Sequence, residues 1–261
     1  MTLNYSIADV APYINWVYFD HAWGMSGKPE TERQKLRREA KDRLQRYAET
    51  YRMHAVFELM DCHSDRDDIV IEGRGRIPCL RQQQKDSDFL CLADFVSPDG
   101  DRVGLFATSV DSNMETDFAA DPYEKMMMQL VADRLAEATA ERLHEQVRRE
   151  FWGYAKDEQL TVADMLVEHF QGIRPAVGYP SLPDTSLNFV LDRLLGMSQI
   201  GIRLTESGAM RPHASVSGLM LASPVARYFS IGRIGDDQLQ DYAQRRDVPV
   251  GLMRKFLSGN L

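Results

Sequence analysis

Met127, Val131, Leu135 and Ala138 recur at intervals of three and four, the spacing that lays apolar side chains along one face of a helix. That periodicity predicts a long helix over 122–151, with Pro122 suited to its first turn. A second helix is predicted over 29–52, where Pro29 opens a run of charges of mixed sign. Residues 54–59, 68–72, 89–96 and 102–110 read as strands. Ser97-Pro98-Asp99-Gly100-Asp101 is a strong turn signal, which predicts that 89–96 and 102–110 form an antiparallel hairpin. Beyond the long helix come a shorter one over 160–170, with Thr161 as N-cap and Asp164 three residues on, and another over 187–195. Strands are expected at 200–204, 214–221 and 227–231, and two short helices close the chain. Residues 172–180 hold too much Pro and Gly for either element and read as a shaped loop. Strands in hairpins with helices grouped between them point to an α+β fold. No repeat, low-complexity run or linker divides 1–261, so one domain is expected.

Charge narrows the partners. Lys and Arg total 31 against 39 Asp and Glu, giving a formal charge of −8. Nucleic-acid binding needs a basic face, and docking on an anionic membrane needs the same, so neither is expected. No apolar run is long enough to span a bilayer, and the first residues carry no basic-then-apolar leader. The three cysteines, Cys62, Cys79 and Cys91, form no CxxC pair and read as buried thiols in a reducing, cytoplasmic setting.

Several chemistries lack their motifs. There is no G-x-G-x-x-G, no P-loop and no G-x-S-x-G, and none of the six histidines pairs with another at metal-ligand spacing. The chain does not read as an enzyme with a reactive group of its own.

The C-terminal third carries longer signals. It contains Arg174-Pro175-Ala176-Val177-Gly178-Tyr179-Pro180, Leu204-Thr205-Glu206-Ser207-Gly208-Ala209-Met210 and Ala214-Ser215-Val216-Ser217-Gly218. In order and spacing these resemble motifs of the reactivation domain of cobalamin-dependent methionine synthase. Tyr228-Phe229, Leu80-Arg81-Gln82-Gln83, Cys91-Leu92-Ala93-Asp94-Phe95, Trp152-Gly153-Tyr154-Ala155 and the run from Ala132 to Ala138 match as well. Pro12-Tyr13-Ile14-Asn15-Trp16 resembles the family's opening segment, so the likeness covers nearly the whole chain.

The resemblance implies a C-shaped domain with a twisted antiparallel sheet flanked by helices. It implies binding of S-adenosylmethionine, presented to a cobalamin carried by a partner protein while a flavodoxin-type donor supplies an electron. The expected role is that of a free-standing reactivation subunit acting in trans. A non-catalytic S-adenosylmethionine-binding or scaffolding module, or a reactivator of another corrinoid methyltransferase, stays open beside it. Such chemistry needs no protein nucleophile, because the cofactor carries it and the protein supplies position and electrostatics.

By the same resemblance, Arg174 is assigned to the ligand carboxylate, where a guanidinium fork can make two charge-assisted bonds; the alternative is a surface ion pair. Ala176 and Gly178 would bring backbone close to the ligand, or simply form a turn, and Tyr179 would lie against it or guard the opening. Tyr228 and Phe229 match a paired aromatic position; on a strand they would face opposite ways, with Tyr228 favoured for the site. Asp133, Glu137, Glu141 and His144 share one helix face, which for most such stripes is solvated. Glu137 matches an acidic position that would balance the ligand's positive charge, Asp133 one that meets the cobalamin domain, and Glu168 has a weaker case. The family's Asp at the ammonium position is Asn15 here, which keeps an acceptor and loses the charge. Two family histidines are also absent, near Thr185 and in Ala222-Ser223-Pro224. Asp61-Cys62-His63-Ser64-Asp65-Arg66 only approaches a cobalamin-ligating signature, and His63 is expected in a loop.

Overall fold

The computed structural model of the protein describes residues 1–261. The chain opens with β1 (Thr2–Ser6), α1 (Ile7–Val10), α2 (Trp16–Ala22) and α3 (Glu30–Arg46). Strands β2 (Arg52–Asp65), β3 (Asp68–Ile71), β4 (Gly75–Pro78) and β5 (Asp101–Val110) follow, then the long helix α4 (Pro122–Gln146) and the short α5 (Val162–Leu166). The remainder is α6 (Leu187–Leu195), β6 (Arg203–Leu204), β7 (Met210–Arg211), β8 (Ser215–Met220), α7 (Asp236–Arg245) and α8 (Val250–Phe256). The main sheet is antiparallel throughout, in the order β4-β3-β2-β5-β8 with β1 also paired to β2. The fold is α+β with a curled antiparallel sheet, as expected.

Strict alternation lets the sheet bury both faces. On β2, Met53, Ala55 and Phe57 join one apolar core while Val56, Met60 and Cys62 join the other. On β5, Phe106 and Val110 point to the first core and Val103, Leu105 and Ala107 to the second. Helix α4 fills the first core with the predicted stripe, Met127, Val131, Leu135 and Ala138, all buried. Asp121 caps it by accepting from the Tyr123 and Glu124 amides, and a π-helical turn (Val147–Phe151) carries it on to the expected end. Helix α6 packs in the second core, and α7 and α8 close a third. No helix is long and apolar enough to cross a membrane.

Four expectations fail for identifiable reasons. Residues 89–96 are not a strand, and β5 pairs with β2 and β8 instead of forming the predicted hairpin. The Asp94 carboxylate accepts from the Cys91 amide at 2.8 Å and is held by Arg81, which curls Leu92–Phe95 into a 3-10 turn. Residues 227–231 are irregular, tied to a loop rather than to a sheet edge. His63 lies on β2, not in a loop, with Nδ1 2.6 Å from Glu72. The helix expected over 160–170 is reduced to α5, because Glu168 adopts a positive φ of 63° and ends it; Thr161 caps the start as expected. All three cysteines are buried, and burial pushes the Cys62 thiol up to about 12.

Candidate functional site

The segment 173–177 runs along the free edge of β8. Ile173 exchanges hydrogen bonds with Leu221 (2.9 and 3.0 Å), Leu219 donates to Pro175 O (3.0 Å), and Val177 donates to Ser217 O (2.9 Å). Pro175 has no N–H but its carbonyl still accepts, so a Pro-containing stretch continues the sheet without being a regular strand. Ala176 lies opposite Gly218 as a non-bonded pair, so its own N–H turns away from β8 and makes no hydrogen bond within the protein. Gly178 then takes φ +89° and donates to Leu182 O at 2.8 Å, which swings Tyr179 outward. Ser181 ties this turn to the next part of the site, since its hydroxyl bonds the Phe229 backbone.

These segments enclose a cavity of about 550 Å³ against α2, α4 and α5. Of the residues singled out from the sequence, Asn15, Glu137, Arg174, Ala176, Tyr179, Tyr228 and Phe229 line it. Gly178 does not; it shapes the turn and contributes no wall. Tyr228 and Phe229 both face the cavity, because the alternation expected of a strand does not apply to this irregular segment. The Tyr228 hydroxyl accepts from the Arg174 amide at 2.9 Å, and burial raises its phenol to about 12.

The helix stripe is not a solvated face. Glu137 and Glu141 line the cavity, His144 is fully buried, and Asp133 turns to His213 at 3.3 Å. Arg174 is buried and donates to Glu141, while Tyr179 donates to Glu137. The alternative of a surface ion pair for Arg174 is therefore excluded by its burial. Arg174 Nε and Glu141 Oε2 are buried without partners, which is costly unless a ligand or water meets them. Glu168, at the rim, has its carboxyl raised by partial burial and by the nearby Glu141 charge. Asn15 is the N-cap of α2, and its carbonyl accepts from Val17 N at 3.1 Å.

Sequence reading passed over Tyr13, Tyr18, Arg134, Met165 and Leu166, which also line the cavity. Arg134 sits between Asp133 and Glu137 in a run already noticed, so helical spacing alone could have placed it one turn from Glu137. Tyr13 lies in the same quoted segment as Asn15, and nothing local announced Tyr18, Met165 or Leu166.

Beside the site, Arg148 is fully buried, with a two-point ion pair to Glu158 (2.9 and 2.6 Å) and its guanidinium 4.4 Å from the Phe170 ring centre. Burial, with Arg148 and Arg174 nearby, holds His144 well below its ordinary 6.5. Below that value the unfolded chain takes up a proton that the folded chain refuses. Stability from this residue is thus complete above pH 6.5 and declines as pH falls, by up to roughly 1.4 kcal/mol per pH unit. Urea unfolding followed as a function of pH is expected to show this slope, and His144→Phe to remove that part of it. An unchanged slope in the variant would contradict the assignment.

The cavity sets three carboxylates, Glu137, Glu141 and Glu168, against two guanidiniums, Arg134 and Arg174, with unfilled buried donors and aromatic walls. Such a lining suits a small zwitterionic ligand with additional positive charge, and the protein is an α+β module built around a ligand-sized cavity. Comparison gives the family. The model for the activation domain of vitamin B12 dependent methionine synthase matches residues 6–247. A solved structure of the MetH reactivation domain bound to AdoHcy is similar with a TM-score of 0.93 and 35% identity, over 100% of this chain and 90% of that one. The chain belongs to the family of vitamin B12-dependent methionine synthase activation domains.

Proposed function

We propose that the protein binds S-adenosylmethionine in this cavity and supports reductive methylation of cob(II)alamin on a methionine synthase. In this reading it acts in trans in the cytoplasm, on a cobalamin-binding partner supplied with an electron by a flavodoxin-type donor. The observation that carries the reading is the buried Arg174, unpartnered at Nε, together with the free Ala176 N–H at one wall of the cavity. Both are donors waiting for an acceptor, which the ligand's carboxylate and its neighbouring polar groups would supply.

Bound S-adenosylmethionine would supply an already activated methyl group, which is why no protein nucleophile is required. Arg174 would hold the carboxylate. Glu137 and Glu168 would oppose the ammonium and sulfonium charges, and Tyr228 and Phe229 would lie against the apolar parts. Tyr179, about half exposed and bonded to Glu137, stands at the opening, where it would admit or exclude a partner's cofactor.

The direct test mixes the purified protein with a cobalamin-loaded methionine synthase lacking this domain, a reductant and methyl-labelled S-adenosylmethionine. Label appearing on the cobalamin only when all components are present is the expected result; its absence alongside demonstrable ligand binding would favour the sensing or scaffolding role. The observation behind that second role is Asn15, whose carbonyl is already engaged in capping α2 and which has no charge to offer an ammonium. Asn15→Asp keeps an acceptor for the cap and adds the charge. It is expected to tighten S-adenosylmethionine binding by roughly 1 kcal/mol, measured by calorimetry. Unaltered affinity would mean that this position does not face the ammonium.

A further inference from the structure

We infer that Glu141 is a positioning residue: it fixes the Arg174 guanidinium so that the rest of the fork is presented to the ligand's carboxylate, which makes it the determinant of carboxylate recognition. The inference rests on the reading of the cavity as an S-adenosylmethionine site and says which group in it makes Arg174 competent.

An arginine side chain has four rotatable bonds, and an unheld one must be ordered when the ligand arrives. Here the segment bearing Arg174 is fixed by β8 and by the bond from its amide to Tyr228, but neither constrains the guanidinium. The ring of Phe106 lies 5.6 Å from its Cζ and offers a face without direction. The one hydrogen bond made by the guanidinium goes to Glu141. Glu141 comes from α4, a capped 25-residue helix packed in the main core, so its position does not depend on the loop.

The contact is one-point. Arg174 Nε and Glu141 Oε2 are both buried and both unpartnered, although a carboxylate and a guanidinium can close two parallel bonds. A latch that competes with the ligand would satisfy both ends. A one-point contact leaves donors of the fork free and keeps the buried cation neutralised until the carboxylate arrives. No other group holds the guanidinium in place: His144, one turn along α4, is kept from protonating by burial, Glu137, one turn back, is bonded by Tyr179, and neither Glu137 nor Glu168 makes a hydrogen bond to Arg174.

The test compares S-adenosylmethionine with its decarboxylated analogue, which keeps the sulfonium and the amine, by calorimetry on the full chain. In wild type the carboxylate-bearing ligand is expected to bind more tightly. Glu141→Ala is expected to weaken that ligand by about tenfold or more and to leave the analogue within about twofold, so the preference collapses. Glu141→Gln, which retains an acceptor for Arg174 but no charge, should fall between, and it carries the comparison if the alanine variant melts before it can be titrated. Equal weakening of both ligands would show that Glu141 acts directly on the ligand's positive charge and would overturn the inference. So would tighter binding of S-adenosylmethionine, the sign of a competing latch, and so would no change. Failure of wild type to bind either ligand would instead bring down the functional reading and this inference with it, an outcome distinct from a wild type that binds and variants that do not differ.

Discussion

Arg174→Ala is expected to weaken S-adenosylmethionine binding severely. Truncating one side of a buried, charge-assisted contact costs about 2–5 kcal/mol, or roughly 30- to several thousand-fold in affinity. The substitution also strands Glu141, whose carboxylate is largely buried and whose Oε2 already has no partner. A second, separable effect follows: the variant should melt at lower temperature than wild type. Combining Arg174→Ala with Glu141→Gln removes the uncompensated charge, so stability should recover while binding does not. Calorimetry and thermal unfolding on the three proteins together check this. Binding retained by Arg174→Ala would place the ligand's carboxylate elsewhere and undo the assignment of the site.

Gly218→Ala is the second large effect, and it strikes the scaffold under the site. A Cβ at this position would lie 2.2 Å from Pro175 O, 2.9 Å from Ala176 Cα and 3.0 Å from Phe106 Cε1. Two of these are backbone atoms of the segment that carries Arg174 and Ala176, so relief requires moving the site away from β8. Overpacking of this kind costs about 3 kcal/mol, a fall in melting temperature on the order of 10 °C for a chain of this size. Ligand affinity should drop with it, because Arg174 and Ala176 shift together. Gly251→Ala is the control: its added Cβ meets nothing within 4 Å on helix α8, and Ala is the better helix former, so stability there should hold or rise slightly. If Gly218→Ala matched the control in melting temperature and affinity, the close approach would have no functional consequence.

The same segment shows how far sequence reasoning reached. Its Pro and Gly content ruled out a regular element, and the resemblance attached ligand-binding roles to Arg174, Ala176, Gly178 and Tyr179. Seven of the eight residues nominated in this way line one cavity. Gly178 is the one outside the lining, where it shapes the turn: a glycine that allows a turn and a glycine that admits a ligand carry the same letter. The preference for Tyr228 over Phe229 holds only on a strand, and residues 227–231 are held by Pro180 and Ser181 instead of by a ladder. The predicted hairpin over 89–110 failed because a side chain distant in sequence, Arg81, captures Asp94 and bends the chain before pairing can begin.

By itself the sequence determined the properties that repeat along the chain. Apolar spacing marked helix α4 and its buried face, residues 54–59 and 102–110 read as the strands that lie within β2 and β5, and Thr161 with Asp164 marked where α5 begins. These are local, since each depends on contacts within a few residues or on one face meeting any apolar layer. Tertiary structure decided what depends on partners far apart. It turned Glu141 from a member of a polar stripe into the group that holds Arg174, 33 residues away, and it buried His144 beside two arginines. It left no room for a side chain at Gly218 by laying Pro175 and Ala176 against it. It brought Asn15, α4, α5 and the 228–229 pair around one cavity. Charge pairing and close approach act through space, and no spacing along the chain encodes which distant residue will arrive opposite.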